Sequence, residues 1–269
     1  MTAASRPAGI SLWLALVRPG DGDRYRPLVS AAEAATGDRL RLAAARDRWV
    51  TSRALLRHVA AHLDRPIGAQ VLRRCAACGR DDHGAPDLGD GLYTSLAKTD
   101  RCVVVAVGDG PIGVDIESVD GVVPPSTAVF TEAERRLMTF VTAEERVARW
   151  TAKEAIGKLS GLGLRQADNT VVPRLAGARW VGASDARGEE CGVRTVDVGP
   201  GQVAALAARR PADPHTSWVV PSSPTPPDWN KSIDEPGPSV VLFDWQGTSL
   251  APAAPALVRK ALSMEGAHR

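Results

Sequence analysis

The chain has 269 residues, 44% of them apolar, and a net charge of +2 from 33 Lys plus Arg against 31 Asp plus Glu. That is enough chain for one large or two small packed domains. It is too little net charge for a partner chosen by bulk electrostatics, so neither nucleic acid nor an anionic membrane is expected, and there is no apolar run of about 18 residues to span a bilayer. The N-terminus lacks the pattern of a signal peptide, and Cys75, Cys78, Cys102 and Cys191 form no dense framework, so a cytoplasmic protein with reduced thiols is the expectation.

Ile10 to Val17 reads as a first strand closed by Arg-Pro-Gly-Asp-Gly. From about Asp38 to Leu63 glycine and proline almost vanish, and Leu40, Ala44, Trp49, Leu55, Leu56 and Val59 give an uneven helical stripe. The opposite face carries Arg41, Arg46, Arg48, Arg53 and Arg57. Two readings stay open for it: a solvated face, or a set of guanidiniums for a phosphate-rich ligand. Cys75-Ala-Ala-Cys78 with His83 resembles half a zinc site, with Cys102 a conceivable fourth ligand, or else a pair of loop cysteines.

Leu92 to Leu96 and Cys102 to Val107 read as strands, the second nearly all β-branched and therefore buried. Ile112 to Glu117, IGVDIE, is the next strand, with Val114 and Ile116 facing the core and Asp115 and Glu117 sharing the other face. Two such carboxylates are either solvated or hold something positive, and hard oxygen ligands select Mg²⁺ or Mn²⁺. Thr131 and Glu134 form a capping box that starts a short helix. Leu137, Met138, Phe140 and Val141 after it are core residues or part of a docking surface, loosely Val122 to Met138.

Thr142, with Glu145 three residues on completing a capping box, starts a helix of roughly five turns that Gly161 stops, with Ala148, Ala152, Ala155, Ile156 and Leu159 as its buried stripe. Glu154 and Lys158 stack four apart on its flank, beside Lys153. The sequence has only five lysines, at 98, 153, 158, 231 and 260. Where arginine is the default cation, an ammonium invites a phosphate or proton-transfer role. Strand-like pieces follow around Thr170 to Val172, Ala178 to Val181, Val193 to Val198 and Val203 to Ala208, and the fold is expected to end near Arg210. Eight prolines in the 28 positions from Pro211 to Pro238 are linker composition. Ser239 to Trp245 suggests an edge strand and Pro255 to Met264 a short helix.

The strand IGVDIE at 112–117 and the helix WTAKEAIGKLSGLGL at 150–164 resemble the two signature motifs of the Sfp-type 4′-phosphopantetheinyl transferases. RWVTSRALLRHVA resembles that family's arginine-bearing helix, and HGAP and SLAKT stand where it has its GKP and S-x-x-H-T elements. The resemblance covers about residues 10 to 210. It implies an α/β (α+β) fold of two similar halves related by a pseudo-twofold duplication, 1–108 and 109–210, with an active-site cleft between them and the tail 211–269 outside. It implies that a monomer transfers the phosphopantetheine arm of coenzyme A to a serine of an apo acyl- or peptidyl-carrier protein, releasing adenosine 3′,5′-bisphosphate, in polyketide or nonribosomal peptide synthesis.

By motif, Asp115, Glu117 and Glu154 would hold Mg²⁺, Glu154 would be the base, and Lys158 would stabilise the leaving bisphosphate. Lys153 would pair with the pyrophosphate. Arg48, Arg53, Gly84, Ala85, Pro86, Ser95 and Lys98 would line the coenzyme site, while Trp150 would only pack. Two positions depart from the pattern: Ala85 replaces a lysine, and Lys98 replaces a histidine and would offer a permanent ammonium in compensation. The competing readings are a non-catalytic binding protein with the same fold and a zinc-stabilised binding module.

Overall fold

The computed structural model describes residues 10–17, 19–63, 65, 71–75, 78–80, 84–89, 91–120, 129–165, 167, 170, 172, 175, 180–196, 198–209, 240–243 and 249–250. In chain order the elements are β1 (Ile10–Leu16), α1 (Asp21–Arg24), a 3-10 turn (Arg26–Leu28), α2 (Ala31–Asp38), α3 (Ala43–His62), β2 (Arg73–Arg74), β3 (Ala85–Pro86), β4 (Tyr93–Lys98), β5 (Cys102–Gly108) and β6 (Ile112–Ser118). They continue with α4 (Glu132–Met138), α5 (Ala143–Ser160), β7 (Val181–Ser184), β8 (Glu190–Val196), β9 (Gln202–Arg209), β10 (Val240–Phe243) and β11 (Ser249–Leu250).

Two antiparallel sheets, ordered β11-β10-β1-β5-β4 and β6-β9-β8-β7, lie face to face, and β2 pairs with β3 separately. The strand period of two explains the layering. Val103, Val105 and Val107 of β5 point to Leu55, Leu56 and Val59 of α3, whereas Cys102, Val104 and Ala106 point to Val114, Ile116, Ala204 and Leu206 of the second sheet. The far face of that sheet, Val193, Ala205 and Ala207, is covered by Ala152, Ala155, Ile156 and Leu159 of α5. The result is an α+β fold with the layers α3, sheet, sheet, α5. Covered on both sides, β5 reads as an unbroken apolar run, and each fully buried valine contributes on the order of 1.5–3 kcal/mol.

The helix expected over Asp38 to Leu63 begins only at Ala43; Asp38 instead ends α2, which Ser30 and Glu33 cap reciprocally, and 39–42 link the two helices. The arginine face is not uniformly solvated: Arg53 and Arg57 are buried, and Arg57 Nε donates to Glu33 Oε2 at 2.7 Å. Leu137 and Phe140 are not core residues but exposed, Phe140 at 89%, because α4 ends at Met138 and only Met138 turns in against Phe130 and Ala167. Beyond Arg209 the described residues include β10, which pairs with β1 from Leu12↔Phe243 to Ala15↔Val240. His83, Ala178, the positions 122–128 and the helix expected at Pro255 to Met264 lie outside the described residues.

Candidate active site

The hydroxyl of Thr142 accepts from Glu145 N–H to start α5, and Gly161, at φ 72°, ends it. Between Thr151 and Ser160 every residue is buried except Glu154 and Lys158, so the helix reaches the surface only at these two side chains. Their approach to β6 depends on glycine. A Cβ on Gly113 would stand 1.9 Å from Ala155 O, so the strand lies directly on the helix backbone. Gly157 is equally constrained, since its Cβ would meet Gly163 O at 2.2 Å. These contacts bring Asp115 and Glu117, on the α5-facing side of β6, to Glu154 and Lys158.

Lys158 Nζ donates to Asp115 Oδ1 at 2.7 Å and Val114 O at 3.1 Å, and lies 3.5 Å from Leu96 O of β4. It therefore bridges the two sheets. Asp115 Oδ2 is buried and has no hydrogen-bond partner among the described residues. Burial pushes the Asp115 carboxyl upward against the pull of Lys158, and burial plus Asp115 raise Glu117. Glu154 is pushed up to about 7 by burial first and then by Asp115, with Lys158 opposing and Glu117 adding. Asp115 acts on Glu117, and both act on Glu154, which is the signature of one cluster. Trp150 does more than pack on Phe130: its Nε1 donates to Glu117 Oε1 at 3.2 Å and so orients that carboxylate.

Three hard carboxylates, one with a buried unpaired oxygen and all with raised affinity for protons, fit a hard dication. Asp115 commits one oxygen to Lys158 and Glu117 one to Trp150, which leaves each a second oxygen for a ligand. Among the described residues no three His, Cys, Asp or Glu side chains are arranged closely enough to enclose an ion as they stand. Cys102 is not a candidate fourth zinc ligand: it is wholly buried between the sheets beside Gln202, where burial pushes its thiol up to about 12.

Lys153, by contrast, turns away from the acids. Its Nζ meets Glu134 Oε2 at 2.8 Å and the carbonyls of Ala167 and Thr170, each at 2.9 Å, and it is 1% exposed. An ammonium has three hydrogens, and these three acceptors leave none for the pyrophosphate that the resemblance assigns to it. Ser95 is also engaged, since its hydroxyl accepts from Val114 N–H at 3.0 Å and pins β4 to β6.

A second cluster, of opposite sign, sits on α3 and the adjoining strands. Trp49 Nε1 donates to Glu33 O at 3.1 Å, which fixes the indole. Arg53 stands on that ring at 4.2 Å and Lys98 Nζ at 5.5 Å. Arg53 Nη1 is buried with no partner among the described residues. Burial, then Arg73, lower Arg53 to about 10 despite Glu33. Partial burial, then Arg53, Arg48 and Arg73, lower Lys98 to about 8 although the residue is exposed overall, so its charge is held less firmly than a free ammonium's. Arg48 pairs with Asp100. Gly84 and Ala85 are exposed and Pro86 is buried, and Gly84 O accepts from Arg73 Nη1 at 3.0 Å. Arg73 escaped the sequence reading; its only signal was a cationic pair just ahead of Cys75.

The two clusters are not remote from one another. Lys98 is two residues along β4 from Leu96, whose carbonyl faces Lys158, a separation of roughly 7 Å at strand rise.

The family model of the 4′-phosphopantetheinyl transferase superfamily matches residues 111–181, the stretch that carries Asp115, Glu117, Glu154 and Lys158. The matched stretch holds both motifs read from the sequence, and it is there that the chain is similar to the 4′-phosphopantetheinyl transferases. Among relatives, the chain is 25% identical over 199 residues to 4′-phosphopantetheinyl transferase psf-1 of Bacillus pumilus, across 71% of this chain and 83% of that protein.

Proposed function

We propose that the protein moves the 4′-phosphopantetheine arm of coenzyme A to the serine hydroxyl of an apo acyl- or peptidyl-carrier protein and releases adenosine 3′,5′-bisphosphate, serving polyketide or nonribosomal peptide synthesis as a cytoplasmic monomer. The observation that carries this reading is the pair of opposed clusters that β4 adjoins: acids on β6 and α5 that a dication would neutralise, and cations on α3 and β4 that suit a phosphate-rich nucleotide. No helix among the described residues is long and apolar enough to cross a membrane.

In this reading Asp115, Glu117 and Glu154 hold Mg²⁺. When bound, the metal supplies charge neutralisation on the pyrophosphate and a template for in-line displacement. The remaining work belongs to side chains. Glu154 takes the proton of the carrier serine directly or through one water. The serine oxygen attacks the phosphorus that carries the pantetheine arm; the bond from that phosphorus to the bisphosphate breaks, and the electron pair leaves with the bisphosphate. Lys158, held at the seam by Asp115 and Val114 O, stabilises the charge that develops there. Arg53, Lys98 and Arg48 bind the nucleotide end beside Gly84, Ala85 and Pro86. Exposed Phe140 and Leu137 on the α4 side offer the apolar contact for the carrier.

The test is the intact mass of several apo carriers after incubation with the protein, coenzyme A and Mg²⁺. A gain of one phosphopantetheine arm supports the proposal. No gain on any acyl or peptidyl carrier, with coenzyme A demonstrably bound, points to a non-catalytic binding protein instead.

A further inference from the structure

We infer that the outer edge of β1 is a strand-acceptor site whose occupant is the chain's own segment Val240–Phe243, so that the protein closes this sheet edge on itself rather than against a second copy. The inference lies outside the transferase reading and depends on none of its residues.

It starts from the composition of β1. The strand reads ISLWLAL, with no charge and no proline, the means by which an edge strand ordinarily repels another chain. Trp13 and Ala15 are buried in the α3 layer and Leu14 in the layer between the sheets, so both faces are covered as in an interior strand. Yet within the two helix-on-sheet layers β1 has one neighbour. β5 pairs with it along its whole length, from Ile10↔Gly108 to Leu16↔Cys102. Its other edge is met by β10, from Leu12↔Phe243 to Ala15↔Val240, and among the described residues by no other strand. β10 in turn has little else to hold it. Its hairpin partner β11 pairs only at Leu242↔Leu250 and Phe243↔Ser249, and a two-stranded hairpin is at best marginally stable in water. An interior-type strand short of a second neighbour and a terminal strand short of a sheet thus complete one another.

Chain length decides between the chain's own strand and that of a second copy. β9 ends at Arg209, whose N–H donates to Pro111 O at 3.3 Å. That is near the Ile10 end of β1, since Gly108, just ahead of Pro111, faces Ile10. Val240 faces Ala15, further along β1, by about 17 Å at strand rise, and the spacing of packed sheets adds about 10 Å across. A flexible chain as long as 210–239 has an r.m.s. span of roughly 30 Å. It is long enough for that gap and not far beyond it. A tether matched to its gap gives the tethered segment its highest effective concentration, on the order of millimolar. At micromolar protein the chain's own strand therefore outcompetes a second copy's by about 10²–10³-fold, the ratio of the two concentrations.

The test uses the full chain and a labelled synthetic peptide of residues 239–250. Adjacent residues of a strand direct their N–H groups to opposite sides. Val241→Pro together with Leu242→Pro therefore removes a donor to β1 whichever way β10 is phased, with the melting temperature as a check on folding. The double variant is expected to bind the peptide about tenfold or more tightly than wild type, whose edge is filled. In wild type the alternate amides of Leu12 to Ala15 that face β10 should exchange with solvent about tenfold or more slowly than unpaired amides. In the variant that protection should vanish and return with the peptide. Peptide that binds both proteins alike, or neither, overturns the inference, and a variant that dimerises and excludes the peptide gives the edge to a second copy instead. Should the variant not fold, exchange in wild type decides. Protection at Leu12 to Ala15 that survives dilution to low micromolar protein supports the chain's own strand, and protection that is absent or lost on dilution overturns it.

Discussion

The two helix-on-sheet layers of this protein store charge of opposite sign, and they tolerate it by different means. On the α5 side Asp115, Glu117 and Glu154 repel one another, and Lys158 and Trp150 hold one oxygen each of Asp115 and Glu117. On the α3 side Arg53 and Lys98 share the face of Trp49, an aromatic partner that does not cancel their charge. A dication would neutralise the acids, and an anion the cations. One ligand that is itself polyanionic and metal-bound would satisfy both, and β4, with Ser95 and Leu96 at one cluster and Lys98 at the other, is the element that ties them.

The comparison breaks first at Glu154. In the proposed role as base, Glu154→Gln keeps the shape but cannot accept a proton, and transfer measured by carrier mass should fall about 10²–10⁴-fold with binding of the adenosine bisphosphate in the absence of Mg²⁺ unchanged. Equal loss of binding would move the residue from chemistry to assembly of the site.

Lys153 sharpens the contrast within one helix, since it stands beside Glu154 in sequence yet serves structure. Lys153→Met leaves Glu134 buried without its cation, and removing one partner of such a pair costs about 3–5 kcal/mol, read as a drop in the denaturation midpoint. At a temperature where the variant is folded, KM for coenzyme A should be unchanged; a selective rise in KM would restore the pyrophosphate role.

Lys98 gives the pH dependence. In the free protein its ammonium is lowered to about 8 from 10.5, and a bound phosphate favours the charged form, so the ligand-bound value is higher. Affinity for adenosine 3′,5′-bisphosphate is therefore full below about 8 and falls up to tenfold per pH unit as the free lysine deprotonates. Stability without ligand runs the other way: the folded state sheds its proton first, so stability rises from about pH 8 towards 10.5. Lys98→Arg should flatten both profiles.

The smallest expected effect is at Phe140. Being 89% exposed, it can be changed to Ser with a stability change within about 0.5 kcal/mol, while KM for the carrier rises and KM for coenzyme A stays put.

What could be read in advance follows the range of the interaction. The ends of α5, capped by Thr142 and stopped by Gly161, and its stripe of Ala152, Ala155, Ile156 and Leu159 are local patterns and stand as read. So does the inward pair Val114 and Ile116. The burial of Arg57 depends on Glu33, 24 positions away, and that of Lys153 on Glu134 in a different helix. No helical period reveals which flank of a KE pair such a partner will claim. Phe140 could be core or docking surface on apolarity alone, and only the end of α4 at Met138 leaves it exposed. Arg73 was invisible because a two-residue strand has no period at all. The glycines at 113 and 157 stood in plain sight, but their purpose, contact with the backbone at Ala155 and Gly163, exists only once strand, helix and loop are packed.

Whether one ligand answers both clusters is decided by the affinity of coenzyme A with and without Mg²⁺ in wild type and Asp115→Asn. The account predicts that Mg²⁺ tightens coenzyme A about tenfold or more in wild type and has no effect in the variant. Affinity independent of Mg²⁺ in wild type, or the same gain in Asp115→Asn, would show that the carboxylates and the arginines do not serve the same molecule.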